Sequence, residues 1–226
     1  MLKNFIIIFS FLNLVIHLNV SELSFPGVDS SDIFINGWEY RMVPARSGHP
    51  FVFSKVWQFE EINSDLGVRN DYLMNYDVYQ DELVIQTFFQ GSPAQIVLNP
   101  ANIRSFKIEE HHFINPQKLP DLAETGLKGY YEIIYEGNLK FFIKHIKQIS
   151  DEGSMKGRAY ESKIDYFIFL DDNLYSIKNK RSLLKIFPEY KKEISRYMRD
   201  QQILINSASV LSLKALMNYV DQLVTN

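Results

Sequence analysis

Cysteine is missing from all 226 residues of the sequence. This absence excludes disulfide bonds, thiolate metal sites, a cysteine nucleophile and a lipid-modified N-terminal cysteine. Several motifs of catalytic and nucleotide-binding sites are missing as well, among them G-x-S-x-G, H-E-x-x-H, G-x-G-x-x-G and the Walker A segment. The sequence therefore predicts no cofactor, and we assign no catalytic, cofactor-binding or metal-binding residue from it.

An excess of basic residues is missing too, since the formal net charge is -3. A protein that neutralises phosphates with Lys and Arg needs such an excess, so we expect no nucleic-acid partner. Lys and Arg do cluster over residues 178–192, but apolar residues recur at helical spacing in the same segment. With 46% hydrophobic and 23% charged residues, the chain can bury the core of one or two domains.

The first 21 residues predict an export signal. Lys3 is their only charge, and residues 5–16 are apolar apart from Ser10 and Asn13. Such a run is too short for a bilayer span, which needs about 20 residues, and it suits the apolar region of a signal peptide. We expect residues 1–21 to be removed on export, with membrane contact only through this segment before cleavage. An uncleaved N-terminal anchor or a buried first helix is the alternative.

The remainder of the chain divides by composition. Residues 22–37 are rich in Ser, Asp and Gly and predict a flexible leader. Residues 38–177 predict an antiparallel β-rich body, because short runs of β-branched and aromatic residues alternate with turn residues. Three segments, beginning at Tyr76, Tyr131 and Tyr166, share one layout of apolar arm, polar tip and second arm. The tips are residues 80–82, 136–138 and 171–173. Their Asp, Asn and Gly residues favour hairpin turns.

The acidic pair Asp81 and Glu82 stands at the first of these tips. We interpret both as turn residues and not as an acidic catalytic loop, because acidic side chains at a hairpin tip remain solvated and keep an ordinary pKa. On this interpretation Asp81→Asn and Glu82→Gln change stability by no more than about 0.5 kcal/mol. Truncation of core-facing arm residues such as Val78 and Leu83 is expected to cost about 2–5 kcal/mol.

Two further segments of the body carry local signals. Asn99, Pro100, Ala101 and Asn102 predict a four-residue β-turn, because proline fixes φ at the second position and asparagine caps the turn. The segment 141–149 places apolar residues at helical spacing inside a strand-like region. The sequence leaves open whether this segment is strand or helix.

Residues 178–226 predict a helical segment packed on the body. Pro188 suits the first turn of a helix, and apolar residues follow it at spacings of three and four, so we predict a helix near 182–202. Ser209 is a good N-cap for a second helix near 209–224. The predicted fold class is therefore α+β: a mainly antiparallel β body built from hairpins, followed by about two C-terminal helices.

The segment KIEEHHF is the strongest candidate for a metal site in the sequence, because Glu109, Glu110, His111 and His112 are consecutive. Zinc needs three or four such ligands at one point, whereas adjacent side chains on a strand point to opposite faces. We therefore favour a solvated strand end over a metal site. The other histidines are isolated in the sequence: His17, His49 and His145.

Nucleophilic catalysis has little support in the sequence. Ser47 lies close to Arg46 and His49. We interpret this proximity as a coincidence within a loop. A pair of glycosidase carboxylates is left open, because the spacing of such a pair is spatial and not sequential.

Four quoted segments carry a resemblance to a known group of proteins: NYDVYQDELVI, VLNPANIRSF, YYEIIYEGNLKFFIKH and KRSLLKIFPEYKKEI. As a set, these segments resemble a group of uncharacterised exported proteins of Bacteroidota-type bacteria. The resemblance covers the chain from about Lys55 to Leu223. The resemblance implies export and a shared β-rich body with a helical tail. It implies no activity and no functional residue, since the family has no known activity.

These observations lead to one functional expectation and one alternative. We expect a non-enzymatic module that is periplasmic, envelope-associated or secreted and that binds an envelope or extracellular partner, because an aromatic-rich β body offers edge strands and apolar faces. The alternative is an envelope hydrolase that acts on glycan or lipid through carboxylate and histidine residues. A cavity in which Asp, Glu and His side chains converge would favour the hydrolase.

Overall fold

The computed structural model describes residues 34–89, 91–151 and 157–225. The predicted signal segment and the first twelve residues of the predicted leader, 22–33, lie outside these ranges. The strands of the described part are β1 (Gly37–Glu39), β2 (Gln58–Phe59), β3 (Ile62–Ser64), β4 (Gly67–Arg69), β5 (Leu73–Asp77), β6 (Glu82–Phe89), β7 (Ser92–Leu98), β8 (Ile103–Ile108), β9 (His111–Ile114), β10 (Tyr131–Glu136), β11 (Lys140–Asp151), β12 (Arg158–Leu170) and β13 (Asn173–Ile177). The helices are α1 (Lys180–Ile186), α2 (Lys191–Asp200) and α3 (Val210–Thr225). None of the helices in the described ranges has both the length and the apolar composition that a bilayer span requires.

The strands form two antiparallel sheets. Sheet 1 has the strand order β1-β7-β6-β5-β2, and sheet 2 has the order β13-β12-β11-β10-β9-β8-β3-β4. Every pairing between these strands is antiparallel. The predicted α+β class, with a mainly antiparallel body and helices at the C-terminal end, is confirmed.

All three predicted hairpins are present. They are β5–β6, β10–β11 and β12–β13, and each turns at the expected polar tip. In the third hairpin Leu170 pairs with Asn173, so only two residues form the loop. Asp171 and Asp172 have φ values of 49° and 60°. A two-residue loop with positive φ at both positions matches the right-handed twist of the flanking strands, and aspartate tolerates this conformation.

The predicted turn at residues 99–102 is also confirmed. The Asn102 backbone N–H donates to the Asn99 carbonyl over 3.0 Å, and the Ala101 N–H donates to the Asn99 side chain over 3.0 Å. The turn joins β7 to β8, which belong to different sheets. It therefore carries the chain from sheet 1 to sheet 2 and does not close a hairpin.

Sheets 1 and 2 pack against each other through one apolar core. Sheet 1 contributes Tyr76 and Leu83, and sheet 2 contributes Phe106 and Phe113, all of them fully buried. The Tyr76 ring lies edge-on to both phenylalanines, with ring centroids 5.3 Å apart in each case. Phe34 is buried in the same core, so the packed body includes residues that precede the predicted boundary at Trp38.

A second core lies between the helices and sheet 2. Leu183, Ile194, Leu216 and Val220 are fully buried there against strands β10 to β13. Burial of such side chains contributes about 1.5–3 kcal/mol each relative to exposure. This packing explains why the amphipathic C-terminal segment is helical, since short helices are marginal in water without a tertiary partner.

The helix predicted near 182–202 is divided in two, which gives three C-terminal helices. Helix α1 ends before Phe187, and α2 begins after Tyr190. Pro188 causes the break, because its ring disfavours a helical conformation of the preceding residue. Phe187 accordingly has φ -117° and ψ 67°. The helix predicted near 209–224 is confirmed as α3, with the Ser212 N–H donating to Ser209 Oγ over 3.2 Å.

The segment 141–149, which the sequence left undecided, is extended. It belongs to β11, which pairs with β12 along its whole length. Phe141 and Ile143 face the core under the helices, whereas Phe142 packs in a separate cluster with Tyr131 on the opposite face. Apolar residues on both faces imitate a helical period, and only pairing with β12 decides between strand and helix.

Candidate functional site

One face of sheet 1 carries an open groove with a volume of about 610 Å³. All five strands of the sheet contribute to it. The groove is lined by Glu39, Tyr40, Phe59, Asp71, Leu73, Gln86, Thr87, Phe88, Pro93, Ala94 and Gln95. A concave surface of this size lies within the usual range of about 300–1,000 Å³ for small-ligand sites.

Strand alternation explains why this face is open. Leu83 and Ile85 in β6 point into the core between the sheets, so Val84 and Gln86 point to the other face. Near Val84 this outer face is covered by a small cluster that includes Tyr40 and Phe51 with Trp57 packed against it. This cluster does not cover Gln86, and the groove begins at that residue.

The groove floor is a row of side chains in register across four strands. Phe59 of β2 pairs with Leu73 of β5, and Leu73 pairs with Gln86 of β6. Gln86 pairs in turn with Gln95 of β7. Residues that are directly opposite on one face have Cβ atoms roughly 4.5–5.5 Å apart. The row therefore runs from an aromatic end to two adjacent carboxamides.

The two carboxamides of the floor have no hydrogen-bond partner among the residues that the structure describes. Gln86 and Gln95 are both half-buried. Each carboxamide offers two N–H donors and one carbonyl acceptor. Both side chains keep contact with solvent, so water hydrates their carboxamides until a ligand with matching hydrogen bonds displaces it. These groups are therefore free to bind a ligand that enters the groove.

Acidic side chains at the groove rim are held in ion pairs. Glu39 lies 3.1 Å from the Arg41 guanidinium, with both side chains exposed. Asp71 accepts two hydrogen bonds from Arg69, at 2.9 and 2.7 Å. The Arg69 guanidinium also lies 4.8 Å from the centroid of the Tyr72 ring. Bidentate pairing fixes the Asp71 carboxylate in orientation.

A second polar cluster lies on sheet 2, away from the residues that line the groove. The Glu132 carboxylate is 2% exposed and stands between two imidazoles. His111 Nδ1 lies 2.5 Å from Glu132 Oε1, and His145 Nε2 lies 2.5 Å from Oε2. The Phe53 ring covers the cluster, with its centroid 4.1 Å from that of His111 and 5.6 Å from that of His145. We call these three polar residues the His–Glu–His cluster.

The register of sheet 2 explains this convergence. Glu132 of β10 is opposite Phe113 of β9 and Ile143 of β11. The residues two positions along those strands, His111 and His145, therefore lie on the same face as diagonal neighbours. Adjacent residues point to opposite faces, so His112 is exposed on the other side.

The interpretation of KIEEHHF as a solvated strand end is correct in part. Glu109, Glu110 and His112 are exposed. His111 is not solvated in this way, because its ring bonds to Glu132 and packs on Phe53. In the described ranges, no group of three or more His, Asp or Glu side chains is arranged to hold a metal ion.

Electrostatics within the His–Glu–His cluster favour the ionised forms of His111 and Glu132. The hydrogen bond to Glu132 raises the pKa of His111 despite the burial of its ring, and the charges of Glu109 and Glu110 act in the same direction. Burial opposes ionisation of Glu132, yet hydrogen bonds from both imidazoles hold its pKa below the ordinary value. Chemically, the carboxylate fixes the orientations of two imidazoles, as carboxylates do beside functional histidines.

The expectation of a solvated acidic tip at residues 81–82 is wrong for Asp81. Asp81 has a φ of 62° and is a turn residue, but its carboxylate is engaged. It accepts from the Tyr76 hydroxyl at 2.5 Å, from Lys144 Nζ at 2.8 Å and from the Tyr130 N–H at 3.3 Å. The tip folds back onto sheet 2, which the local sequence did not indicate. Burial raises the pKa of Glu82, so this tip residue is not fully solvated either.

Ser47 and His49 are close in sequence, and each contacts a different residue of sheet 2. Ser47 forms a β-bridge with Ala159, and the His49 carbonyl accepts from Lys147 Nζ over 2.9 Å. Lys147 also donates to the Phe51 carbonyl. These contacts anchor the loop on β11 and β12, and they satisfy the ammonium group of the buried Lys147.

Local sequence patterns do not predict two features of these sites, because both depend on which strands pair and in which register. The pairing of Gln86 with Gln95 depends on the hairpin register of β6 and β7. The capture of Glu132 by two histidines depends on neighbouring strands that are 21 and 13 residues away. A period-two pattern in YEIIY could have placed Glu132 on a face, but it could not have identified its partners.

No family model, curated protein or solved structure matches the chain. The resemblance to exported proteins of Bacteroidota-type bacteria therefore stays a prediction.

Proposed function

We propose that the protein is a non-enzymatic, exported binding module and that its ligand lies in the groove of sheet 1. The observation that carries this proposal is the pair of half-buried, unpartnered carboxamides of Gln86 and Gln95 on the groove floor. A binding site needs a few polar groups at fixed positions within a partly apolar cavity. The groove combines those carboxamides with the apolar side chains of Phe59 and Leu73.

The floor of the groove is suited to binding because it is rigid. Strands β6 and β7 pair along six consecutive positions, and β6 also pairs along five positions with β5. Groups on paired central strands lose little freedom when a ligand binds, so the cost of ordering them is small. Sites on such elements hold their polar groups more accurately than sites on loops.

Binding is tested by NMR titration of uniformly ¹⁵N-labelled protein with fractions of an envelope extract from the producing cells. We expect a fraction that contains the ligand to shift the side-chain NH₂ resonances of Gln86 and Gln95. We also expect mass spectrometry to recover the bound component unchanged, since a binding module does not convert its ligand. The matched control is Gln148→Leu, at an exposed glutamine of sheet 2. Shifts confined to other surfaces would contradict the proposal.

Export is a separate part of the proposal. Mass spectrometry of the protein recovered from its native host is expected to give a chain that begins close to residue 22. An intact Met1 in a cytoplasmic fraction would contradict export and leave the groove unaffected.

The alternative, a hydrolase that acts on envelope glycan or lipid, has one observation in its favour. The His–Glu–His cluster brings together a carboxylate and two imidazoles, which are the groups of general acid–base catalysis. We place this function second because none of these residues lines the groove of sheet 1. Conversion of any extract component by the wild type but not by Glu132→Gln would support the hydrolase.

A further inference from the structure

We propose that the groove of sheet 1 binds a neutral glycan chain. The inference rests on the proposed binding function and adds the chemical class of the ligand. Three properties of the groove support it: paired carboxamides on the floor, apolar walls on both sides, and the absence of basic residues from the part of the lining that the structure describes.

The carboxamides match the hydroxyl groups of a sugar. Gln86 and Gln95 stand opposite each other in register, and no described residue satisfies their side chains. A hydroxyl both donates and accepts, so two neighbouring hydroxyls of one ring can pair with the donor and the acceptor of a carboxamide. Such contacts would replace the hydrogen bonds that the half-buried amides make to water.

The apolar walls match the other character of a sugar ring, its C–H faces. Phe59 is 53% exposed at one end of the floor, beside Leu73. On the other side, Phe88 pairs across the strands with Pro93. The face of an aromatic ring carries partial negative charge and attracts the polarised C–H groups of a ring stacked on it. The carboxamides of the floor and the apolar walls together suit a ligand whose edge carries polar groups and whose face is apolar.

Charge favours a neutral glycan over an acidic one. Among the described residues, the groove lining includes Glu39 and Asp71 but no Lys or Arg. The nearby arginines are already engaged, Arg41 with Glu39 and Arg69 with Asp71. Because these arginines are engaged by the rim carboxylates, the described lining offers no unpaired cation to bind a carboxylated or sulfated polymer.

A peptide strand is the competing ligand, and the position of the free groups disfavours it. A peptide that extends a sheet uses main-chain groups on an edge strand. At the two glutamines the main chain is paired on both sides: Gln86 pairs with β5 and β7, and Gln95 pairs with β6 while its carbonyl accepts from the Tyr40 N–H. The groups that lack partners are side chains on the sheet face. A ligand on that face is recognised by its hydroxyls and ring faces and not by strand addition.

The test is isothermal titration and NMR with four probes: cellohexaose, maltohexaose, chitohexaose and a capped hexapeptide of alternating Thr and Val. We expect at least one oligosaccharide to bind and to shift the groove resonances. The double variant Gln86→Leu/Gln95→Leu is expected to weaken that binding at least about ten-fold, since it removes the hydrogen bonds and keeps the side-chain volume. Phe59→Ala is a second, independent variant on the exposed wall and is expected to weaken it as well. The Gln148→Leu control is expected to bind like the wild type.

The outcomes separate this inference from the proposed function. If the peptide occupies the groove and no oligosaccharide does, or if the extract ligand is not a glycan, the glycan class is wrong and the binding function stands. If an oligosaccharide binds equally well to the wild type and to both groove variants, the assignment of the groove is wrong. If neither the probes nor the extract shifts groove resonances, both proposals fail. Thermal melts of each variant confirm that a loss of binding is not a loss of folding.

Discussion

Lys144 Nζ lies 2.8 Å from the Asp81 carboxylate, and this contact joins the first hairpin tip of sheet 1 to strand β11 of sheet 2. Lys144 also donates to the Tyr130 carbonyl over 2.9 Å and lies 4.8 Å from the centroid of the Tyr131 ring. Burial lowers the pKa of Lys144, although the charge of Asp81 opposes this change. The acidic tip is therefore a structural connection between the two sheets.

We expect Asp81→Asn to lower the free energy of unfolding by about 1–3 kcal/mol, because it weakens hydrogen bonds to a buried cation and to the Tyr76 hydroxyl. Urea denaturation at neutral pH measures the change. The neighbouring change Glu82→Gln is the control, with an expected effect within about 0.5 kcal/mol. Burial already disfavours the charge of Glu82, so a neutral amide loses little. Equal effects of the two substitutions would argue against the Asp81–Lys144 connection.

Gly137 is expected to tolerate no side chain. A Cβ at this position would lie 2.3 Å from an Asp221 carboxylate oxygen and 2.7 Å from the Tyr135 hydroxyl. Asp221 accepts from that hydroxyl at 2.8 Å and from the N–H groups of Asn138 and Leu139 at 3.1 Å each, and thereby docks α3 on the β10–β11 tip. We expect Gly137→Ala to destabilise the protein by about 1–3 kcal/mol through overpacking.

A double-mutant cycle with Asp221→Ala identifies the cause of the Gly137 effect. Removal of the carboxylate relieves the closest clash, so Gly137→Ala is expected to cost at least about 0.5 kcal/mol less in that background. Urea denaturation of the four proteins supplies the coupling energy. Additive effects would mean that the alanine is excluded for another reason.

Glu132 is expected to be the most sensitive position of the His–Glu–His cluster. Glu132→Gln replaces an acceptor for two imidazoles by a carboxamide that accepts at one end only, in a buried site. We expect a loss of about 2–4 kcal/mol in the free energy of unfolding. The exposed neighbour in KIEEHHF supplies the matched control, since Glu110→Gln should stay within about 0.5 kcal/mol. A mild effect at Glu132 would show that the two imidazoles find other partners.

The stabilising effect of the His–Glu–His cluster is expected to depend on pH. The folded pKa of His111 is raised, so its contribution is complete below the ordinary value of 6.5 and is lost as pH rises through the folded pKa. The folded pKa of Glu132 is lowered, so its contribution is complete above the ordinary value of 4.5 and is lost as pH falls through the folded pKa. Both contributions are present between these two values.

Urea denaturation of the wild type and of His111→Gln, from pH 4.5 to values above pH 6.5, tests this dependence of stability on pH. The stability difference between them is expected to be largest from pH 4.5 to 6.5 and to shrink at higher pH. The control is His112→Gln, on the exposed side of the same strand. A difference that does not change with pH would mean that His111 stabilises the fold by packing on Phe53 alone.

Local patterns in the sequence determined the class of the fold. Turn residues at 80–82, 136–138 and 171–173 placed all three hairpins, because a turn depends on the backbone preferences of the few residues within it. The amphipathic stripe after Ser209 indicated α3, because apolar residues at spacings of three and four form one face of a helix. The helical pattern around Pro188 predicts one continuous helix, whereas the non-helical conformation of Phe187 shows that the chain before Pro188 ends a separate helix.

Only the tertiary structure decided which side chains meet. Asp81 finds Lys144 at a separation of 63 residues, and Tyr135 finds Asp221 at a separation of 86. Gln86 and Gln95 have ordinary local surroundings, and their importance arises because strand register aligns them on a face that no other described element covers at this position. Period and turn chemistry act over a few residues, whereas strand pairing and sheet packing bring distant segments together. The sequence by itself therefore determined the strands, turns and helices of this protein, and the packing of two sheets decided where its charges are buried and where a ligand can bind.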